Sequence, residues 1–174
     1  MNVGAPPSLR FATTPEDCAL ARTLFVEYAH WLDVDLCFQG FDQELAALPG
    51  AYAPPRGRLL LAGAPGQAFG CIALRPLAAV EGSPPSPSAA ATTTDIGEVK
   101  RLYVEPAHRG GGWGRRLVEA LIAESRAIGY GNLKLDTLEW MAEARRLYGK
   151  FGFRECAAYY DNPLPGVVYM ALAL

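Results

Sequence analysis

The sequence predicts an α/β fold, with a mixed, mostly antiparallel sheet of roughly six to seven strands flanked by about four helices. Three observations predict it. The 174 residues suit a single domain with a real core. In the first half, short apolar segments bounded by turn residues alternate with helical patterns. A strand, a glycine-rich turn, a helix and another strand then follow in order, which is a parallel crossover.

Ser8 to Thr13 reads as the first strand. Thr14 can cap a helix that has Pro15 at its first position and Asp17 as a box-like acid. Leu20, Leu24, Tyr28, Trp31 and Leu32 continue it at helical spacing. Asp33-Val34-Asp35 interrupts, and Phe41 to Leu48 forms a short helix ended by Pro49-Gly50. After a turn at Pro54 to Gly57, the segments Arg58 to Ala62 and Ala68 to Leu74 read as an antiparallel pair. Residues 78–95 are low in complexity and almost uncharged, and read as a mobile loop inside the domain. A tolerated insertion is the plain reading of this loop and a lid the alternative. Gly97 to Val104 is a strand, and the helix after the glycine turn runs to about Ile128 with Leu117, Val118, Leu121 and Ile122 on its apolar stripe. Leu133 to Thr137, a helix from Met141 to Lys150, and strands at Arg154 to Tyr159 and Val167 to Leu172 complete the order. No domain boundary is evident across 1–174.

Net charge near −2 argues against nucleic-acid or acidic-membrane partners. No apolar run approaches spanning length and no secretory signal opens the chain, so a cytoplasmic location is expected. Cys18, Cys37, Cys71 and Cys156 are irregularly spaced and the two histidines lie far apart, so no metal site and no disulfide framework are expected.

The strongest chemical signal is the turn Gly110-Gly111-Gly112-Trp113-Gly114. Arg115 and Arg116 occupy the first turn of the helix behind it, with His108 and Arg109 just ahead. Cations are the wrong sign for an empty helix start, whose dipole favours acids. Open backbone N–H groups beside cations make a small-anion site, most simply for phosphate. A P-loop is excluded because no Gly-Lys-Ser/Thr occurs. Both dinucleotide frames fail at their third glycine, at Arg115 or Leu117, although Asp136 stands where a ribose-binding acid could lie.

Arg109, Gly112 and Gly114 do meet Arg-x-x-Gly-x-Gly/Ala. Here the chain resembles the GNAT superfamily of acyl-CoA N-acyltransferases. Glu98 to Arg109 resembles that family's strand and approach, and Ala144 to Phe153 its last helix and following strand. The resemblance implies a GNAT-like sheet whose motif strand splays from its neighbour at a bulge. Acetyl-CoA would enter that gap as co-substrate. Its pyrophosphate would meet Arg109, Gly110, Gly111, Gly112, Trp113, Gly114 and Arg115, while Leu102, Tyr103 and Val104 would line the acyl-pantetheine path. Arg109 is expected to position rather than bind directly, and His108 to be a surface neighbour.

Acyl transfer to an amine needs a base, an oxyanion partner and a proton for the leaving thiolate. Strand alternation puts Glu98 on the same face as Leu102 and Val104, and it matches the family's base, direct or through water. The plain alternative is a sheet carboxylate paired with Lys100 or Arg101. Tyr148 matches the family's general acid, against a core tyrosine at helical spacing. Met141 departs from the pattern, since many relatives carry a coenzyme-contacting Asn there. Trp31, Asp33, Asp35, Phe38, Tyr159 and Tyr160 are acceptor-pocket candidates, where acids and aromatics would suit a small cationic amine. An ordinary helix connection with surface acids is the alternative. The implied activity is acetyl transfer from acetyl-CoA to an amine by direct attack in a ternary complex. The acceptor could be a small amine, an amino acid, an antibiotic, or a protein terminus or lysine. A non-catalytic acyl-CoA-binding module is the second reading, and the resemblance also allows a homodimer.

Overall fold

The structure, a computed structural model, describes residues 5–77 and 96–174. The loop expected over 78–95 therefore lies outside the described residues. Seven strands form one sheet: β1 (Ser8–Phe11), β2 (Arg58–Gly63), β3 (Gly70–Pro76), β4 (Ile96–Val104), β5 (Asn132–Leu138), β6 (Arg154–Glu155) and β7 (Val167–Ala173). Their order is β1-β2-β3-β4-β5-β7-β6, antiparallel throughout except for β4 beside β5. Four helices flank the sheet: α1 (Pro15–Leu32), α2 (Phe41–Ala47), α3 (Trp113–Ile128) and α4 (Ala142–Lys150). This is the predicted mixed α/β arrangement.

Local chemistry sets the helix ends. The Thr14 side chain accepts from the Asp17 N–H, Pro15 opens α1, and Asp33 in a left-handed conformation closes it. The buried stripe of α3, Leu117, Val118, Leu121 and Ile122, packs with Leu74, Val99, Leu133 and Leu135 on one sheet face. On the other face, Leu24 and Phe25 of α1 pack against Leu59, Leu61, Cys71, Ala73 and Tyr103. Both faces are thus dry, and the functional features lie where the sheet itself opens.

That opening begins at a bulge. Cys71 stands opposite Tyr103 but Ala73 opposite Lys100, so Arg101 and Leu102 together face Ile72. Arg101 has φ 58, a left-handed value rare for a residue with a side chain. Burial alone would raise the Glu44 carboxyl, but Arg101 outweighs it and holds the carboxyl below its ordinary value. The pair is bidentate at 2.6 and 2.9 Å. Tyr52 donates to the same carboxylate at 2.7 Å, and the Cys71 thiol donates to the Arg101 carbonyl at 3.3 Å.

The bulge corrects one expectation. Alternation is broken at Arg101, so Leu102 and Val104 pack toward α3 while Tyr103 packs toward α1. Glu98 and Lys100 open into a pocket on the α1 and α2 side. Glu98 therefore faces away from Leu102 and Val104. The expected strand at Arg154 to Tyr159 is also shorter, pairing with β7 only at Arg154 and Glu155. The tyrosines beyond it turn inward to the site instead.

Candidate active site

Gly110 and Gly112 have φ +80 and +77, and a Cβ on either would meet nothing within 4 Å. The turn is therefore open rather than a packed corner. Gly112 caps α3 with no side-chain hydrogen bond and no acid in the first turn. The first four helix N–H groups have no intrahelical partner by geometry. Arg115 and Arg116 are exposed beside them. Arg116 stacks over Trp113 at 4.7 Å, and Trp113 abuts Phe69 edge-on at 5.1 Å. Open N–H groups and exposed cations thus lie side by side at the start of α3, a combination that suits an anion. Arg109 is directed elsewhere: its Nε donates to the Val104 carbonyl at 2.9 Å and its guanidinium lies 4.6 Å over Trp31. His108 is exposed, stacked on Phe69 at 4.1 Å and 3.2 Å from Glu105.

Next to the turn the sheet splits. β4 and β5 pair only from Ile96 opposite Asn132 to Glu98 opposite Lys134. Beyond that they part, and the cleft between them is lined by Val99, Leu102, Asp136, Thr137, Met141 and Tyr148. Tyr148 is 7% exposed, and burial pushes its hydroxyl well above the ordinary tyrosine range. It is thus held in the O–H form. Met141 caps α4 and its sulfur accepts from Thr137 Oγ1 at 3.6 Å.

A second pocket of about 550 Å³ opens on the α2 side, lined by Phe38, Gln39, Arg75, Glu98, Lys100, Tyr159 and Tyr160 among others. Glu98 is 2% exposed. Its Oε2 accepts from Arg75 Nε at 2.7 Å and its Oε1 from the Tyr159 hydroxyl at 3.2 Å. Lys100 Nζ lies 3.6 Å from Glu98 and 3.0 Å from Asp136, so charges alternate from Arg75 through Glu98 and Lys100 to Asp136. Such alternation is how buried ions are tolerated. Burial and then the neighbouring carboxylates, Glu98 first for Tyr159 and Asp136 first for Tyr160, hold both tyrosines protonated. Gln39 and Lys100 line both the cleft and the pocket, so the two spaces share a wall.

The structure thus brings Glu98, Phe38, Tyr159 and Tyr160 together in one pocket, with Tyr148 across the shared wall. It does not bring Trp31, Asp33 or Asp35 there. Trp31 packs with Tyr28, Tyr103 and Trp140 near the end of β4. Asp33 closes α1, and Asp35 accepts from the Cys37 N–H at 2.8 Å. The pocket at Glu98 is walled by Arg75, Lys100 and a single carboxylate, and not by Asp33 or Asp35. Asp136 holds Lys100 rather than standing free for a ribose. Arg75 and Gln39 escape sequence reasoning, because an Arg on a strand and a Gln in a connector carry no pattern. Among the described residues no group of three His, Cys, Asp or Glu could hold a metal, and no helix is long and apolar enough to cross a membrane.

Comparison with known proteins extends these observations. The sequence model of the acetyltransferase (GNAT) family matches residues 24–153. An uncharacterised N-acetyltransferase of Schizosaccharomyces pombe is 39% identical over 168 residues, spanning 96% of this chain and 94% of its own. A GNAT-family acetyltransferase from Staphylococcus aureus superposes with TM-score 0.72 at 15% identity, covering 97% and 99% of the two chains. The YncA protein of Salmonella typhimurium, solved with its cofactor acetyl-CoA, superposes with TM-score 0.65 at 23% identity, covering 97% and 94%.

Proposed function

Since this chain belongs to the GNAT acetyltransferase family and is an acyl-CoA-dependent acyltransferase, we propose that it moves an acetyl group from acetyl-CoA to a primary amine. The observation that carries this reading is the shared wall. The cleft holding Tyr148 and the pocket holding Glu98 meet at Gln39 and Lys100. A thioester reaching in from the glycine turn and an amine entering the pocket would come together at that wall, as direct attack in a ternary complex requires.

The turn from Arg109 to Arg115 would hold the coenzyme pyrophosphate through backbone N–H groups. That fits its open space and uncapped helix start. The backbone of Leu102 along the parted strand would meet the acyl-pantetheine arm, and the Val104 carbonyl already holds Arg109. Glu98, held by Arg75 and Tyr159, takes the proton that the amine loses as its C–N bond forms. Tyr148, kept protonated by burial, presents its O–H to the sulfur as the C–S bond breaks. The products are an amide and free coenzyme A. Reaction in the cytoplasm, where acetyl-CoA is made, belongs to the same reading.

Release of free coenzyme A, read with a thiol reagent across a broad amine panel, tests it. Turnover with a primary amine is expected, and acetyl-CoA but not NAD should raise the melting temperature. Stabilisation by acetyl-CoA without thiol release for any amine would instead make the protein a binding module. Stabilisation by NAD alone would overturn the assignment of the turn.

A further inference from the structure

Strand alternation sends Leu74 of β3 into the core beneath α3 and turns Arg75 to the opposite face, where Glu98 stands directly across on β4. Both line the pocket of about 550 Å³. Arg75 gives Glu98 its Nε, at 2.7 Å. A guanidinium is a fork of five donors, and this contact leaves the end made by its two Nη atoms. Neither Nη has a hydrogen-bond partner among the described residues. Neither is one of the two buried unpaired side-chain atoms there, Gln39 Oε1 and Arg145 Nε, so both are open to solvent. The whole side chain is 31% exposed.

The neighbouring charges are already committed. Lys100 is buried and divides its Nζ between Asp136 at 3.0 Å and Glu98 at 3.6 Å. Glu44 of α2 is held by Arg101 and by the Tyr52 hydroxyl. Among the described residues that line the pocket, Arg75 is thus the cation with an open pair of donors. Charge then limits what the pocket suits. Its wall carries two cations, Arg75 and Lys100, and one carboxylate, Glu98. An acceptor that brings only an ammonium group adds a third cation to that wall. An α-amino acid brings a carboxylate one carbon away from its nitrogen, and Glu98 and Arg75 are likewise immediate neighbours.

We propose that the acceptor is a free α-amino acid, its carboxylate held by the two Nη atoms of Arg75 while its nitrogen faces Glu98. This deepens the acetyltransferase reading and rests on it. The Nη pair matches a carboxylate in bidentate fashion, the strongest form such a contact takes. One guanidinium therefore orients both the base and the substrate. The amino-acid side chain lies toward Phe38, Pro76 and Tyr159, a wall that suits an apolar or aromatic group. As the C–N bond forms, the nitrogen gives one proton to Glu98. The C–S bond breaks, the sulfur takes the Tyr148 proton, and the carboxylate is unchanged. The product is an N-acetylamino acid.

The test compares phenylalanine with phenethylamine, which lacks the carboxylate, and with phenylalaninamide, which stands for a peptide N-terminus. Leucine beside 3-methylbutylamine repeats the comparison with a smaller side chain. Acetyl-CoA is the donor, free thiol is the readout, and rates are compared per concentration of unprotonated amine. Wild type should favour each amino acid by roughly tenfold to a hundredfold in kcat/KM, mostly through KM, the scale of a hydrogen-bonded charge pair. Arg75→Met should bring these ratios close to one and leave the KM for acetyl-CoA as in wild type. It slows every amine, because Glu98 loses a partner, so the ratio and not the rate is read. Arg75→Lys keeps a cation beside Glu98 without the fork; it should lower the ratios several-fold, and it serves where Arg75→Met does not fold. An active wild type that shows no preference for the amino acids overturns the inference alone. So does a preference that stays unchanged in the Arg75 variants. A wild type that binds acetyl-CoA but acetylates no amine of the broad panel overturns it together with the acetyltransferase reading.

Discussion

Glu98 and Tyr148 lie on opposite sides of the shared wall. Glu98 is held by Arg75 at 2.7 Å and by the Tyr159 hydroxyl at 3.2 Å. Tyr148 is enclosed by apolar neighbours of α4 and the sheet, where burial favours the neutral hydroxyl. The proposed base and the proposed acid are thereby kept apart. Tyr148→Phe removes only an oxygen from a buried ring, so the fold should survive. Its kcat should fall by about 10²–10⁴, the usual range for a lost general acid, with the KM for acetyl-CoA little changed. Steady-state rates with the best amine of the panel check this; an unaltered kcat would return Tyr148 to a packing role. Glu98→Gln should lower kcat by a similar factor. It should also lower the melting temperature, because Arg75 and Lys100 lose a shared counter-charge.

At the level of elements, two devices shape the proposed donor site: a glycine turn with left-handed positions, and a bulge in the strand that parts from β5. Gly112→Ala and Gly129→Ala form a matched pair for the first. They flank the two ends of α3 with φ +77 and +94, and neither Cβ would meet anything within 4 Å. Each should cost about 1–2 kcal/mol for a left-handed alanine. Only Gly112→Ala should also weaken coenzyme A binding, by tenfold or more in a calorimetric titration, because only Gly112 belongs to the turn proposed to hold the pyrophosphate. Equal binding by the two variants would remove the turn from the site. For the second device, Glu44→Ala leaves the Arg101 guanidinium buried without its bidentate partner. It should cost about 3–5 kcal/mol, read from the urea midpoint. The turn and the crossover were legible in the sequence because glycine, a misplaced pair of arginines and a strong apolar stripe mark them. The bulge position was not, because Arg101 carries no mark of a left-handed residue; its conformation is fixed by Glu44, 57 positions away. One inserted residue was enough to move Glu98 to the opposite face. The pocket at Glu98 was half legible for a related reason. Phe38 and Tyr159 are conspicuous aromatics, whereas Arg75 and Gln39 acquire meaning only when the 3-10 turn at 37–39, β3 and β4 meet.

Across the whole molecule the tyrosines form a common pattern. All eight, Tyr28, Tyr52, Tyr103, Tyr130, Tyr148, Tyr159, Tyr160 and Tyr169, are held above the ordinary tyrosine value, burial being the first cause in each. Three of them, Tyr159, Tyr160 and Tyr169, pack as one cluster behind the acceptor pocket. Others stiffen the α1 face through Tyr28 against Tyr103. A neutral hydroxyl whose folded value exceeds its unfolded value near 10 binds its proton more tightly in the folded state. Its contribution to stability is complete below pH 10 and is lost as pH rises toward the folded value. For Tyr28, pushed up to about 12, the window runs from about pH 10 to 12, and a shift of that size corresponds to roughly 3 kcal/mol. With several buried tyrosines acting in the same direction, stability should be nearly flat from neutral pH to about 9 and then fall steeply. Melting temperature against pH checks the curve, and phenolate absorbance identifies its cause. The phenolate signal should rise together with unfolding rather than ahead of it. A titration in which most phenolate forms while the fold persists would show that these hydroxyls are open to water, and would remove the basis for holding Tyr148 in the O–H form.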